Sequence, residues 1–119
     1  LNQNLLNLFS SVDLSSSING PILDISNVRM GSVSATWTGT PVGTFVLQTS
    51  NEITTGTALP SSGSFDDISG SSLAVTAAGQ QTWVFNQPYY AKWFRIKYTA
   101  TSGTGTITAA SIATKQEAV

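Results

Sequence analysis

The side chains that could take part in catalysis are few and poorly placed to cooperate. Asp66 and Asp67 are the only two acidic residues adjacent in the sequence. Neighbouring residues of a strand point to opposite faces of a sheet, so this pair cannot act as acid and base on one substrate. The sequence contains no His, the side chain best suited to proton transfer near neutral pH. We therefore do not expect an acid–base active site.

The sequence offers no well-placed base for nucleophilic catalysis. Ser and Thr hydroxyls are abundant, but a nucleophilic hydroxyl needs an adjacent base, and the sequence has neither His nor Cys. The remaining candidates, Lys92 and Lys97, belong to a strand-like segment beside Trp93 and Arg95, and no Ser motif is directed at them. We predict that the protein is not an enzyme.

The acidic residues suggest one metal alternative. Ca²⁺ binds carboxylate and loop carbonyl oxygens, and Asp66 or Asp67 could join Asp24 or Glu52 in such a site. No EF-hand or repeat spacing supports this, and solvated turn residues are the simpler interpretation. The prediction is that the protein binds neither a metal ion nor a cofactor.

Aromatic residues suggest a ligand platform. Trp83, Tyr89, Tyr90 and Trp93 cluster around a connector, and flat aromatic rings stack on sugar faces in many β-sandwiches. Tyr89, Tyr90 and Trp93 are the candidate platform. The alternative is that Trp83 and Trp93 fill or cover the core, because aromatic side chains carry large areas that favour burial.

The composition excludes other partners. The chain has 119 residues, enough for one domain, and only 9% are charged, with a net charge of −1. Binding to nucleic acid or to an anionic membrane surface needs clustered Lys and Arg, so neither is expected. No apolar run approaches the roughly 20 residues of a membrane-spanning helix. Low net charge does little to keep copies of a protein apart.

The pattern of the chain predicts an all-β fold. Thr, Val, Ile and Ser are abundant, and Gly or Pro interrupts the sequence about every ten residues, which is the spacing of a sandwich or barrel. We predict about eight or nine strands in an antiparallel two-sheet β-sandwich. A jelly-roll order is favoured over an immunoglobulin-like one, because the Cys-Trp-Cys pattern of antibody domains is missing.

Two short turns each separate a pair of predicted strands. GSVSATWTG (31–39) is followed, after the turn TGTPVG, by TFVLQTSN (44–51). KWFRIKYTAT (92–101) is followed, after SGTG, by TITAASIAT (106–114). Turns this short are typical of β-hairpins, so each pair is predicted to lie side by side in one sheet.

Alternation predicts one buried face for two of these strands. In GSVSATWTG the buried face carries Val33, Ala35 and Trp37. WFRIKY likewise has two faces. The face predicted to point into the core carries Phe94, Ile96 and Tyr98, and the opposite face carries Trp93, Arg95 and Lys97. Arg95 is expected to stack on Trp93 or to pair with a carboxylate of a neighbouring strand or subunit.

The domain organisation predicted from the sequence has three parts. Residues 1–12 form an N-terminal arm or docking segment, 13–114 the sandwich, and 115–119 a tail. The arm carries the candidate assembly anchor, Leu5, Leu6, Leu8 and Phe9, which could instead form a helical turn or pack locally. The polar loop from Glu52 to Gly63 is the candidate contact surface or exposed tip, since loops of this length are often functional.

The segments WTGTPVGTFVLQTSNE and KWFRIKYTATSGTGTITA resemble a recurrent small β-domain of bacteriophage virion proteins. In that family a Trp-Thr-Gly-Thr-Pro-x-Gly-Thr turn leads into a Leu-Gln-x-Ser-Asn strand, and a Trp-hydrophobic-Arg-hydrophobic-x-Tyr strand ends in Ser-Gly-Thr-Gly-Thr. These positions are Trp37–Asn51 and Trp93–Thr106 here, and the match spans most of residues 31–110. The family often has Asp and then Trp after Ser-Asn, whereas this chain has Glu52 and a Thr/Gly/Ser insert.

The resemblance implies a component of a phage particle. It could be a capsid decoration protein, a minor capsid protein, or part of a spike or tail fibre, located in the virion and contacting copies of itself or other virion proteins. The alternative function is a carbohydrate- or receptor-binding module that recognises a host surface glycan.

Overall fold

A computed structural model describes residues 3–9, 11–25, 28–85 and 92–116. The described chain contains strands and one short 3₁₀ turn, Ser62–Ser64, with no α-helix. The strands are β1 (Gln3–Phe9), β2 (Val12–Asp13), β3 (Ile18–Asn19), β4 (Leu23–Asp24), β5 (Val28–Gly39), β6 (Val42–Ser50), β7 (Asp66–Asp67), β8 (Leu73–Val75), β9 (Gly79–Phe85), β10 (Trp93–Ser102) and β11 (Gly105–Gln116).

The strands form two antiparallel sheets packed face to face, as predicted. The first sheet has the order β1-β11-β5-β9, with β2 also on β11, and the second has the order β3-β10-β6-β7, with β4 on β10 and β8 on β6. Three pairs of consecutive segments, β1 with β2, β3 with β4 and β7 with β8, each lie along one edge of a shared neighbouring strand. Merging these pairs leaves eight strands in jelly-roll order.

The core lies between the sheets and follows the predicted alternation. Phe45 is at its centre, with its ring centroid 5.0 Å from that of Trp37, 4.7 Å from Tyr98 and 6.3 Å from Trp83. The first-sheet residues Val33, Ala35 and Trp37 and the second-sheet residues Phe94, Ile96 and Tyr98 are all buried in this cluster. The one-sided burial of both segments is therefore confirmed.

The two predicted hairpins are wrong. β5 lies in the first sheet and β6 in the second, and β10 and β11 are likewise divided between the sheets. Each strand pairs with a member of the other predicted hairpin: β5 with β11, and β6 with β10. The four strands thus form a two-stranded ribbon that bends from one sheet into the other, and we call this bend the corner (residues 38–43 and 102–105).

The corner explains the Gly-rich turns. The backbone N–H of Thr40 donates to the carbonyl of Thr104 at 2.8 Å, so one turn is hydrogen-bonded to the other. Gly39 and Gly103 have φ angles of 88° and 78°, in the region that favours glycine. A Cβ on Gly105 would lie 2.5 Å from the carbonyl oxygen of Thr38. The turns therefore need glycine because two chain segments cross at close contact.

The segment predicted as an N-terminal arm contributes an edge strand. Residues 3–9 form β1, which pairs antiparallel with β11, in place of the helical turn considered from the sequence. Leu8 is 6% exposed and belongs to the core. The strands extend from Gln3 to Gln116, so they run beyond both ends of the predicted 13–114 sandwich.

Candidate functional site

The outer side of the second sheet is covered by the chain's own loop. The side chains of Gln48 and Ser50 on β6 and of Trp93 and Arg95 on β10 alternate with core residues and therefore point away from the core, yet all four are buried. Residues 51–65 supply the cover. We call this surface, with its loop, the covered face.

Arg95 is the centre of the covered face and is only 4% exposed. Its Nε donates to Gln48 Oε1 at 2.7 Å, its Nη1 to Ser62 Oγ at 3.0 Å and its Nη2 to the Ser62 carbonyl at 3.1 Å. The guanidinium carbon lies 4.2 Å from the centroid of Phe65. The described partners are thus an amide, a hydroxyl, a carbonyl and a phenyl ring, in place of the predicted Trp93 or carboxylate.

The burial of Arg95 has an electrostatic consequence. Desolvation lowers the pKa of the guanidinium from its ordinary value, although an arginine remains charged in proteins. Gln48 links this guanidinium to a carboxylate nearer the surface, because its Nε2 donates to Asp67 Oδ1 at 2.8 Å. The loop is therefore attached to the sheet through a charged group whose donors bond three acceptor atoms of two residues, Gln48 and Ser62.

A second set of bonds closes the loop on itself. The carboxylate of Glu52 accepts from the Ser61 backbone N–H at 2.6 Å and from Ser61 Oγ at 2.8 Å. The Ser50 and Ser64 hydroxyls are 2.8 Å apart, and Trp93 Nε1 donates to the Glu52 carbonyl at 3.2 Å. Both ends of the loop are held, so the polar segment predicted as a contact surface or exposed tip is anchored in the structure.

The anchored loop exposes two apolar side chains. Ile53 is 94% exposed and Leu59 is 60% exposed, while the neighbouring Pro60 is buried. Loops positioned by a rigid scaffold often carry binding residues. These two side chains are the candidate contact residues of the 52–63 loop.

None of the described residues covers the outer side of the first sheet in this way, and we call this surface the bare face. Its described outward side chains are uncharged, and most are small and partly or fully exposed, among them Ser32, Ser34, Thr36, Thr82, Ala109 and Ser111. The hydroxyls of Ser34 and Thr82 are 3.0 Å apart, which links β5 and β9 across this face. Val84, also on β9, is 64% exposed.

The predicted ligand platform is described only at Trp93. Tyr89 and Tyr90 lie outside the described residues. Trp93 is 8% exposed, and Lys92 Nζ lies 4.9 Å from its ring centroid. Little of its ring is therefore open to stack on a sugar, because the ring serves as part of the covered face.

The predicted assembly anchor is described only in part. The side chains of Leu5, Leu6 and Phe9 lie outside the described residues, and Leu8 is occupied in the core of its own chain. Removing the N-terminal segment would therefore remove a strand and a core side chain together, so a truncation cannot separate assembly from folding.

The acidic residues considered for calcium are spread over the described chain. Asp66 and Asp67 are exposed on β7, opposite Thr49 and Gln48. Within residues 3–9, 11–25, 28–85 and 92–116, no group of three or more potential metal ligands is found. The same part of the chain contains no helix long and apolar enough to cross a membrane.

The main feature that sequence reasoning missed is the burial of Arg95. Its alternation with core residues placed it correctly on the outer side of β10, where a charged residue normally faces water. The only available signal was the Ser-rich loop containing Phe65, and nothing in the spacing of 95 and 62 along the chain predicts their contact.

Comparison with known proteins supports the fold. No protein-family model matches the sequence, and neither does the sequence of any curated protein. The chain is similar to the SPBc2 prophage-derived protein YomS, with 15% identity and a TM-score of 0.55 over 96% of this chain and 94% of that one. For the Tobacco streak virus coat protein the values are 11% identity and a TM-score of 0.43, over 99% and 90% of the two chains. The alignment with YomS shows a common fold.

Proposed function

We propose that this chain is a structural component of a bacteriophage virion and that it acts by assembly. The observation that carries the proposal is the corner. The two segments that resemble phage virion β-domains are distant in sequence, yet β5 pairs with β11 and β6 with β10, so they build one structural unit. The resemblance therefore concerns the architecture of the domain, and the fold is shared with a prophage-derived protein.

The composition supports assembly over catalysis. The sequence has no His and no Cys, and only 9% of its residues are charged. A net charge of −1 gives weak repulsion between neighbouring copies. A protein that packs at high density on a particle benefits from these properties, because contacts between neutral polar surfaces desolvate few ions.

The anchored loop supplies a contact surface for another virion protein. Ile53 and Leu59 are exposed, and the loop that carries them is held by the Glu52–Ser61 bonds and by Arg95. A surface that is already ordered loses little conformational entropy on binding. The partner is therefore expected to present an apolar patch to these two side chains.

Quantitative analysis of purified particles tests the proposal. Particles of the phage that encodes the chain are purified by density gradient, and the copies of the chain are counted by mass spectrometry relative to the major capsid protein. We expect the chain in intact particles. Hundreds of copies would identify a lattice or decoration protein, and about a dozen a vertex, spike or tail component. If the free chain is abundant but purified particles lack it, the proposal is wrong.

A double substitution tests the loop. Ile53→Ser with Leu59→Ser is expected to lower the copy number in particles while leaving the unfolding midpoint unchanged, because both side chains are exposed. Thr57→Ser, at an exposed position of the same loop, is the matched control. Normal incorporation of the double variant would exclude the loop as the contact and leave the virion assignment standing.

A further inference from the structure

The two sheets end in different kinds of edge. Both edges of the second sheet consist of segments of two or three residues. One edge is formed by β3 and β4, which pair with β10, and the other by β7 and β8, which pair with β6. The first sheet ends in β1 and β9, which have seven residues each. Short edge segments limit pairing with another chain, whereas a long edge presents a row of unpaired backbone groups.

β9 is the more regular of the two long edges. Its seven residues pair with β5 from Gly31–Phe85 to Trp37–Gly79 without a register shift, whereas the pairing of β1 with β11 shifts between Asn7 and Phe9. Bulges of this kind disturb an edge and hinder its pairing. Among the described residues, no backbone hydrogen bond outside the strand ladders involves β9.

β9 also lacks the charges that normally protect an edge. The sequence from Ile68 to Ala91 contains no Asp, Glu, Lys or Arg, and β9 itself contains no Pro. Gln80, Thr82 and Val84 are its exposed side chains. Two copies can approach along this strand without electrostatic repulsion and without desolvating an ionic group.

We propose that β9 pairs antiparallel with β9 of a second copy about a two-fold axis at Thr82, which joins the two first sheets into one continuous sheet. Full overlap of the seven residues sets this register and places Gln80 opposite Val84 of the second copy. An isologous contact of this kind uses one surface twice and closes as a dimer. The inference deepens the proposed function, since it names a second copy of the chain as the first partner in assembly.

Cysteine cross-linking tests the register, and the Cys-free sequence makes every cross-link specific. Cβ atoms of directly opposed residues lie about 4.5–5.5 Å apart, a spacing near that of disulfides. We expect Thr82→Cys to form a dimer that reducing agent separates. Gln80→Cys mixed with Val84→Cys should form a mixed dimer, whereas Gln80→Cys alone should not. Thr36→Cys, exposed on the same face but on the central strand β5, is the matched control.

Sedimentation velocity of the uncrosslinked chain provides the second measurement. The unmodified chain is expected to dimerise with concentration. Thr82→Lys should raise the dissociation constant by about tenfold or more, because it opposes two like charges across the strand pair. Thr36→Lys should change it less than about twofold, since its site lies off the edge.

The outcomes separate this inference from the virion assignment. A chain that sediments as a monomer up to its solubility limit, or that cross-links equally through Thr36→Cys and Thr82→Cys, would overturn β9 pairing. Such a chain could still be found in purified particles. A dimer with the expected cross-links that is absent from particles would instead support β9 pairing and overturn the proposed function.

Discussion

The covered face and the bare face are the outer sides of two sheets in one sandwich, and they are built in opposite ways. The covered face buries Arg95 and Trp93 beneath the 51–65 loop and binds that loop through side chains. The bare face exposes short Ser, Thr and Ala side chains. The second sheet therefore satisfies its outward polar groups within the chain, whereas the first leaves a neutral surface and a long edge for other molecules.

Folding stability and association with other molecules should therefore depend on different parts of the protein. Substitutions in the covered face disturb buried groups, so they should change the free energy of unfolding. Substitutions in the bare face and on the loop tip touch exposed groups, so they should change association with little effect on folding. Four substitutions, in order of decreasing effect on the free energy of unfolding, should test this division.

Phe65→Ala should have the largest effect. Phe65 is buried and stacks beneath the Arg95 guanidinium, and truncation of a buried Phe typically destabilises a protein by about 3–5 kcal/mol. Urea unfolding followed by Trp fluorescence measures the change. Val84→Ala, at an exposed apolar site of the first sheet, is the control and should stay within about 0.5 kcal/mol. Equal losses from both variants would contradict the contrast between the faces.

Arg95→Met should lower the free energy of unfolding by about 2 kcal/mol, because it leaves the Gln48 Oε1 and Ser62 acceptors without their donors. Met retains an apolar stem over Phe65. Lys97→Met on the same face of β10 is the control, and it should have a small effect because Lys97 is only half-buried. A neutral or stabilising Arg95→Met would show that desolvation of the guanidinium outweighs its hydrogen bonds.

Glu52→Ala should act mainly on the loop. Losing the two bonds to Ser61 should destabilise the chain by about 1 kcal/mol. Backbone amides of residues 53–61 should exchange faster with deuterium, because the loop ends are released. Asp66→Ala removes an exposed carboxylate beside the same sheet and is the control. Unchanged exchange in the loop would mean that the contacts of Arg95, Ser50 and Trp93 hold it without the Glu52 carboxylate.

Tyr98→Phe should have the smallest effect at neutral pH. The buried Tyr98 hydroxyl has no hydrogen-bond partner among the described residues, so its removal should change the free energy of unfolding by less than about 1 kcal/mol. The variant tests whether the stability of the core between the two sheets depends on this hydroxyl.

The pH dependence of the same variant has a definite sign. Burial raises the pKa of Tyr98 above its ordinary value of 10.0. The unfolded chain therefore loses this proton first, and the stability due to the neutral phenol is complete below pH 10 and declines as the pH rises through the raised pKa. Urea unfolding between pH 8 and pH 11 (about one unit beyond the ordinary value) should show a shallower alkaline loss in Tyr98→Phe. Parallel losses in both proteins would exclude Tyr98 as the cause.

The sequence predicted the elements and their core-facing sides because side-chain alternation is a local property of a strand. Val33, Ala35 and Trp37 were assigned to the core from their spacing alone, and so were Phe94, Ile96 and Tyr98. The all-β class also followed from strand spacing and turn residues, whereas the jelly-roll order rested only on the missing Cys-Trp-Cys pattern of antibody domains. The segments Trp37–Asn51 and Trp93–Thr106, which carry the resemblance, pair with each other through the corner, and this pairing was not predicted.

Tertiary structure alone decided which strand pairs with which and what is buried outside the core. A two-residue turn between β5 and β6 fits either a hairpin or a passage between sheets, and the choice depends on Thr40 meeting Thr104 from a distant part of the chain. The burial of Arg95 likewise depends on Ser62 and Phe65, which reach it only after the loop folds back over β10. Strand periodicity is fixed by neighbours in sequence, whereas pairing and cover are fixed by contacts between residues that folding brings together.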